Sequence, residues 1–218
     1  MNGWRMRIVS GLALAACSVA QLQAGEPSAL GHHPVAEISA LVGSATVTHA
    51  GQHTAVPLAV SDVLFERDRI VTPAASKVRI RFADDTTVTV GELANLELTA
   101  AKVTRGKDGR QTTLTMTSGW FRASVQRLME HESFALRTPT AVGAVRGTEF
   151  GAVLKPGATG IFVKQGTVSV TNQDTAVQGA VLLRDGDGTD VVPGQPPTAP
   201  KQWRPERVAE LMTATTIP

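Results

Sequence analysis

The chain of 218 residues has no tyrosine, few other aromatic residues and a single cysteine. Because aromatic side chains are scarce, the core must consist of valine, leucine, isoleucine, alanine and a few phenylalanines. One cysteine cannot form an internal disulfide. The 20 glycines and 12 prolines, together with abundant threonine, favour many short strands joined by turns over long helices.

The chain also lacks a marked excess of charge. Its formal net charge is +2, and Arg5 and Arg7 lie in a first segment, residues 1–24, that contains no acidic residue. Without those two arginines, 19 of the 21 basic residues remain against 19 acidic ones. Nucleic-acid binding needs a clustered basic footprint, so we expect no nucleic-acid partner.

Long apolar runs are missing as well. Residues 1–7 carry two arginines, residues 8–16 are apolar, and small residues follow, which is the order of a secretory signal peptide. The run is too short to span a membrane, which takes about 20 residues. We therefore predict a signal peptide over residues 1–24, export to the periplasm and no spanning segment in the mature protein.

Two modes of cleavage remain open. An ordinary signal peptidase could cut after Ala20 or Ala24. Alternatively, Leu-Ala-Ala-Cys at residues 14–17 resembles a bacterial lipobox, in which Cys17 would be lipidated and would become the new N-terminus. In that case the signal would end before Cys17 and the lipid would hold the protein at a membrane, the outer membrane for a periplasmic lipoprotein. A lipid at Cys17 is the only membrane contact that we expect.

The rest of the chain divides into three parts. Residues 25–36 form a polar leader, residues 37–192 carry the strand-like patterns, and residues 193–218 form a proline-rich linker and a short helix. The helix is predicted over residues 203–212, with Pro205 in its first turn. Its apolar face could cap an open end of the β domain.

The clearest strand covers residues 77–82. Its apolar residues point one way, whereas Lys77, Arg79 and Arg81 point the other. Such a basic stripe could attract phosphate or lipid headgroups, or it could be a solvated face that blocks edge pairing. A turn at Asp84-Asp85 and a return strand over residues 86–90 complete a hairpin. Further along the chain, Trp120 and Phe121 are predicted to fill the core.

A central stretch, residues 138–150, lies between two blocks of strand-like runs. Pro139 disfavours helix at the residue before it. Gly143 and Gly147 allow backbone angles that a side chain would forbid. The alternation over residues 148–154 predicts a strand.

Arg146 is an unusual residue for a plain turn. A guanidinium can bind a carboxylate or two carbonyls and so fix the crossing of two strands. We expect a buried or half-buried ion pair at this corner. The alternative is an arginine that faces a ligand or partner.

Taken together, these blocks resemble the FecR domain family. The matching pieces run in family order over about residues 40–190, and the most specific is Thr-Pro at 138–139 followed by Val-Arg-Gly-Thr-Glu-Phe at 145–150. The other matching pieces are residues 68–72, 78–90, 96–98, 118–121 and 165–170. The residues of the family motif, structural or partner-binding, are Asp68, Thr72, Gly119, Thr138, Pro139, Arg146, Gly147, Thr148, Phe150 and Gly166.

The resemblance implies an all-β, roll or solenoid-like extracytoplasmic domain of short strands. In the best-known members this domain belongs to a membrane-spanning regulator, which receives a signal from an outer-membrane siderophore receptor and controls an extracytoplasmic-function sigma factor. This chain departs from that plan, because its apolar run lies at the extreme N-terminus and no cytoplasmic anti-sigma segment is recognisable. Direct sigma-factor control is therefore not implied.

The leading hypothesis is a non-enzymatic binding or scaffolding module of the bacterial envelope. The sequence shows no nucleophile elbow, metal-ligand cluster or dinucleotide-binding glycine pattern, so we expect no catalytic residue, cofactor or metal. The partner would be an envelope protein, which a sheet edge could bind by strand addition. Residues 77–90 and 159–171 are the candidate edges.

Two alternatives compete with this hypothesis. An enzyme acting on envelope polysaccharide or peptidoglycan would need paired carboxylates in one cleft, for which Asp84, Asp85 and Glu149 are candidates. A structural subunit of a surface assembly would use the C-terminal helix to dock a neighbour.

Overall fold

The computed structural model describes residues 33–103 and 109–218. The strands are β1 (Ala36–Val42), β2 (Thr46–Thr48), β3 (Val56–Pro57), β4 (Val63–Leu64), β5 (Arg69–Thr72), β6 (Lys77–Phe82), β7 (Thr87–Val90), β8 (Ala94–Val103), β9 (Arg110–Ser124), β10 (Ser133–Arg137), β11 (Ala141–Val145), β12 (Glu149–Lys155), β13 (Ala158–Gln165), β14 (Val168–Asn172), β15 (Ala180–Leu183), β16 (Asp187–Val191) and β17 (Lys201–Gln202). One helix, α1 (Pro205–Thr215), follows them in this part of the chain. The predicted all-β fold with a short C-terminal helix is confirmed.

Strand pairing defines two open sheets. Sheet A has the order β4–β1–β6–β7–β9–β12–β13–β16–β17. Sheet B has the order β3–β2–β5–β8–β9–β10–β11–β14–β15. All of these neighbours are antiparallel except β9 and β10, which run parallel.

The long strand β9 belongs to both sheets. Up to Ser118 it pairs with β8 in sheet B, and from Gly119 onward it pairs with β12 in sheet A. Gly119 has a φ of +97°, and a Cβ at this position would lie 2.6 Å from the Cα of Ala94. Only glycine fits both the backbone angle and the space, so this residue lets one strand pass between the two sheets.

The main core lies between the sheets. The alternation predicted for residues 77–82 is confirmed, since Val78, Ile80 and Phe82 are buried. Phe121, Phe134 and Phe150 meet at the centre, with ring centroids 5.6 Å apart for Phe121 and Phe150 and 6.3 Å apart for Phe134 and Phe150. The prediction for Phe121 is confirmed. Trp120 points the other way, because successive strand residues face opposite sides.

A second apolar cluster lies on the outer face of sheet A, the face turned away from sheet B. Val153 and Phe162 of the sheet pack there against Trp203 and Leu211 of the C-terminal segment, with Trp120 half-buried beside them. The helix therefore covers a sheet face, and the prediction that it caps an open end is wrong. No helix in residues 33–103 and 109–218 has the length and apolarity to cross a bilayer.

Candidate partner-binding face

The chain crosses from sheet B to sheet A between β11 and β12, at residues 146–148 of the motif. Thr148 is buried, and its Oγ1 donates to the carbonyl of Thr167 at 2.9 Å and accepts from the amide of Thr167 at 3.2 Å. Gly147 has a φ of +69°. A Cβ at Gly166 would lie 2.9 Å from the carbonyl oxygen of Gly147. These residues fix the crossing through backbone fit and one hydroxyl.

Arg146 does not fix that corner. Its side chain is exposed, and among the described residues it forms no salt bridge. The expected ion pair is therefore wrong. Thr148 and the two glycines hold the crossing instead.

The Thr-Pro turn is held by a buried hydroxyl cluster. Thr138 Oγ1 accepts from the amide of Ala141 at 2.9 Å and lies 2.8 Å from Thr159 Oγ1. Thr140 Oγ1 donates to the same Thr159 hydroxyl at 2.8 Å. Thr159 belongs to β13, so the cluster ties the β10–β11 turn to sheet A, while Pro139 occupies the exposed tip.

The first motif residues are also structural. Asp68 is fully buried; its Oδ2 accepts from the amide of Phe65 at 2.9 Å, and its Oδ1 lies 3.0 Å from His49 Nδ1. Thr72 Oγ1 donates to the carbonyl of Gly91 at 2.6 Å and accepts from the amide of Ala94 at 3.1 Å. Each satisfies backbone groups that would otherwise be buried without a partner.

The basic stripe on β6 binds the C-terminal segment of the same chain. Lys77 Nζ donates to the carbonyls of Thr213 at 2.6 Å and Thr216 at 3.0 Å, at the C-terminal end of α1. This position suits a cation, because the helix dipole is negative there. Arg79 donates to the carbonyl of Ile217 at 2.8 Å, and Arg81 pairs with Glu37. The stripe is thus neither a free anion site nor a plain solvated face.

Four glycines make room for this segment on sheet A. A Cβ at Gly91 would lie 2.7 Å from the carbonyl of Ala214, and one at Gly151 would lie 2.6 Å from Leu211 Cδ2. Cβ atoms at Gly160 and Gly188 would clash with Trp203 and its neighbour Arg207. The segment from Trp203 to Ile217 therefore rests directly on the backbone of the sheet. We call this covered surface the closed face.

Trp203 is the anchor of the closed face. Its ring stacks on Phe162 with centroids 5.4 Å apart, and the Cζ of Arg207 lies over the indole, 3.5 Å from the ring centroid. Arg207 also binds Asp190, with Nη1 to Oδ2 at 3.1 Å, and Lys201 lies 3.3 Å from the same carboxylate. The hydrogen bond from Arg207 holds the pKa of Asp190 below its ordinary value.

The helix thus docks on its own chain. In a surface assembly, the predicted structural subunit would offer this helix to a neighbour. The apolar side of α1 is already used, because Leu211 is fully buried against sheet A.

The outer face of sheet B has no such cover among the described residues. Ala135, Ala144, Ser169 and Leu182 lie opposite one another on β10, β11, β14 and β15 and form a row across the sheet. The row lines a cavity of about 490 Å³, with Arg146 at its rim. Leu182 is 53% exposed. We call this surface the open face.

Unpaired cations surround the open face. Arg137 lies two residues after Ala135 on β10 and faces the same side of the sheet. Arg184 directly follows β15. Like Arg146, both are exposed and form no salt bridge in the described part of the chain. The open face therefore combines an apolar trough with positive charge that has no internal partner.

The sheet edge also differs from the prediction. Residues 77–90 form β6 and β7, and residues 159–171 lie in β13 and β14; all four strands have a partner on each side. They cannot accept another strand, so both candidate edges are wrong. In sheet B, β3 and β15 pair on one side only, and β15 is the one that adjoins the open face.

The candidate catalytic acids are not brought together. Asp84 pairs with Arg110, and Glu149 binds Arg122 and Lys164 at 3.1 Å each. Asp85 lines one cavity and Glu149 another. In the first cavity Asp85 is joined by Glu37, whose carboxylate binds Arg81.

Metal ligands do not assemble in the described residues either. No group of three or more histidine, cysteine, aspartate or glutamate side chains could hold an ion there.

Comparison with known proteins identifies the central region. The family model described as FecR protein matches residues 68–169, a range that includes all the motif residues named above. The predicted resemblance is confirmed. No curated protein matches the chain.

Solved structures show a similar fold. Two crystal structures of a "putative anti-sigma factor" from Parabacteroides distasonis, at 1.65 Å and 2.50 Å resolution, superpose with a TM-score of 0.51 at 17% identity. The match covers 65% of this chain and 62% of that chain, so just under two thirds of the other protein is spanned. At this identity the similarity concerns the fold alone.

Proposed function

Because this chain carries a FecR domain over residues 68–169, we propose that it is a non-enzymatic binding module of the bacterial envelope that takes part in signalling. It docks a partner protein on the open face of sheet B. The family and the fold shared with an anti-sigma factor-like protein support signalling as the context. The partner itself is an envelope protein.

The proposal rests on one observation: among the described residues, the outer face of sheet A is covered by the chain itself and the outer face of sheet B is not. On sheet A the chain's own segment covers the apolar side chains, and its cations have internal acceptors. On sheet B, within residues 33–103 and 109–218, no segment covers the trough beside Leu182 and no carboxylate pairs with the guanidinium of Arg146. An exposed apolar surface rimmed by polar groups is typical of a protein interaction site.

Export is part of the proposal. The basic start, the apolar run and the small residues after it support secretion to the periplasm. Residues 1–32, including Cys17, lie outside the described residues. Mass spectrometry of the mature N-terminus distinguishes cleavage after Ala20 or Ala24 from a lipidated Cys17.

Site-specific photocrosslinking in native cells tests the proposal. A photoreactive phenylalanine analogue replaces Leu182 in the full-length protein, and a second variant carries it at Val60, which is equally exposed at 53%. We expect one discrete envelope protein crosslinked at position 182 and none at position 60. Equal labelling at both positions, or no adduct at 182, would contradict docking on the open face.

A further inference from the structure

We propose that the partner docks on the open face as an extended acidic segment, which pairs through its main chain with the free edge of β15. This inference rests on the proposed function and adds the chemistry of the partner. Three observations carry it: the unpaired edge, the row of side chains that leads to it, and the charges beside it.

The edge of β15 is the best place for an added strand in the described residues. Strands β3, β4 and β17, which also pair on one side only, contain two residues each, and β3 includes Pro57, which has no amide hydrogen. β15 has four residues and pairs with β14 alone. After Leu183 the chain turns into sheet A, which leaves the outer edge of β15 free. An extended segment could therefore continue the ladder of sheet B.

The register of the sheet defines which side chains the added strand needs. Ala135, Ala144, Ser169 and Leu182 form one row, so the residue opposite Leu182 would extend that row on the open face. Side chains directly opposite each other on neighbouring strands lie about 4.5–5.5 Å apart. An aliphatic residue at this place would cover Leu182 and remove its exposed surface from water.

The arginines beside the open face determine which residues the added strand should carry on either side of the aliphatic one. Because strand side chains alternate, the positions two residues before and after the aliphatic one also face the open side. One of them lies opposite Ala180, and the other lies next to Arg184, where β15 ends; Arg137 and Arg146 flank the same surface. The groove also contains Glu132, whose carboxylate accepts from the amide of Met129 at 2.9 Å. Asp185 and Asp187, in the turn after Arg184, accept from the amides of Gly166 at 2.7 Å and Arg184 at 3.0 Å. The three arginines form no salt bridge within the described residues. Cations without such partners favour glutamate or aspartate at these positions.

Binding of designed peptides to the full-length, isotope-labelled chain tests the inference by NMR. The acidic probe is Thr-Glu-Thr-Val-Thr-Glu-Thr, and a matched probe carries lysine in place of both glutamates. A third probe repeats the acidic sequence with alternate backbone amides N-methylated, which removes the donors on one edge. A fourth has the other set of amides methylated.

We expect the acidic probe to shift the amide resonances of residues 180–183. It should bind about tenfold more tightly than the lysine probe at low salt, since several exposed charge pairs add up to roughly that factor. One of the two methylated probes should lose binding. Arg184→Glu should weaken binding of the acidic probe and strengthen binding of the lysine probe, whereas Lys155→Glu, at the exposed end of β12, should leave both unchanged.

Each result bears on one claim. Equal binding of the lysine probe, undiminished binding of both methylated probes, or shifts centred away from β15 would overturn this inference. If no acidic probe binds but the variant with the photoreactive residue at position 182 still captures a protein, the acidic strand is wrong and the docking face stands. If the acidic probe binds at β15 but position 182 captures nothing in cells, the proposed function fails instead.

Discussion

The closed and open faces are built from similar strands, yet only one of them is covered. On the closed face, glycines at positions 91, 151, 160 and 188 lower the surface so that Trp203 and α1 can lie on the backbone. On the open face, Ala135, Ala144 and Ser169 form a similar depression, and Leu182 stands at its edge. The same device, small residues beside a large apolar one, is filled in one place and left exposed in the other.

The basic residues of the two faces differ in the same way. Lys77 and Arg79 donate to carbonyls of the C-terminal segment, whereas Arg146 and Arg184 form no salt bridge within the described residues. A basic residue that faces outward on a strand is therefore not by itself evidence of a binding site. What matters is whether the rest of the chain supplies its acceptor.

The largest effect is expected from the anchor of the closed face. Trp203→Ala removes the ring that contacts both Phe162 and Arg207, and truncation of a buried tryptophan costs about 3–5 kcal/mol. The control on the open face is Leu182→Ala, which should change the free energy of unfolding by less than about 0.5 kcal/mol. Urea denaturation of the full chain measures both. Similar losses for the two variants would remove the distinction between the faces.

The second-largest effect is expected from a side chain placed at one of the four glycines under the C-terminal segment, which we call the glycine track. Gly188→Val places methyl groups against the indole of Trp203, and overpacking of this kind costs about 1–3 kcal/mol. Ala144→Val adds the same side chain to the exposed trough of the open face and should be nearly neutral. Thermal and urea unfolding, measured together with tryptophan fluorescence, report whether the C-terminal segment has detached from sheet A. A neutral Gly188→Val would show that this segment does not need the track.

Two nearby motif residues should have different roles, Thr148 in the stability of the fold and Arg146 in partner binding. Thr148→Val removes the buried hydroxyl that bonds to both the carbonyl and the amide of Thr167, and should cost about 0.5–1.5 kcal/mol. Arg146→Ala should leave the free energy of unfolding almost unchanged but reduce crosslinking at position 182. Chemical denaturation and the crosslinking yield are measured on the same two variants. If Arg146→Ala destabilised the fold as much as Thr148→Val, Arg146 would be a structural residue after all.

The smallest effect concerns pH and the closed face. Since the folded state lowers the pKa of Asp190, its charged form stabilises the fold above the unfolded pKa of about 4, and this contribution is lost as pH falls through the lower folded pKa. Asp190→Asn should therefore be less stable than the natural chain at pH 7, by less than about 1 kcal/mol for a pair that is partly exposed. The difference should shrink as pH falls below about 4 and vanish below the folded pKa of Asp190. A difference that persisted at low pH would point to packing and not to charge.

Local patterns predicted the body of the fold. The alternation over residues 77–82, the turn residues and the threonine-rich runs are enough to specify short strands, because side chains alternate between the two faces of a sheet. The motif from Asp68 to Gly166 was also recognisable in the sequence. Its glycines and threonines act on backbone close by or on a paired strand, where residue type reveals the role.

The assignment of interior and edge strands could not be made in that way. Residues 77–90 read as an exposed hairpin, and only the pairing with β1 and β9 places them inside sheet A. Likewise, the short β15 carries no mark of an edge in its sequence. Which strand is left unpaired depends on the order of the whole sheet, and that order is set by contacts between distant segments.

The sequence by itself determined a β-rich chain, its family motif and the buried side of its clearest strand. Only the tertiary structure decided which outer face is covered. Lys77 finds its acceptor 136 residues further along the chain, and four separate glycines become one track only when their strands lie side by side. The physical reason is that periodicity and turn chemistry act over a few residues, whereas the cover of a face is a contact between parts that the sequence keeps far apart.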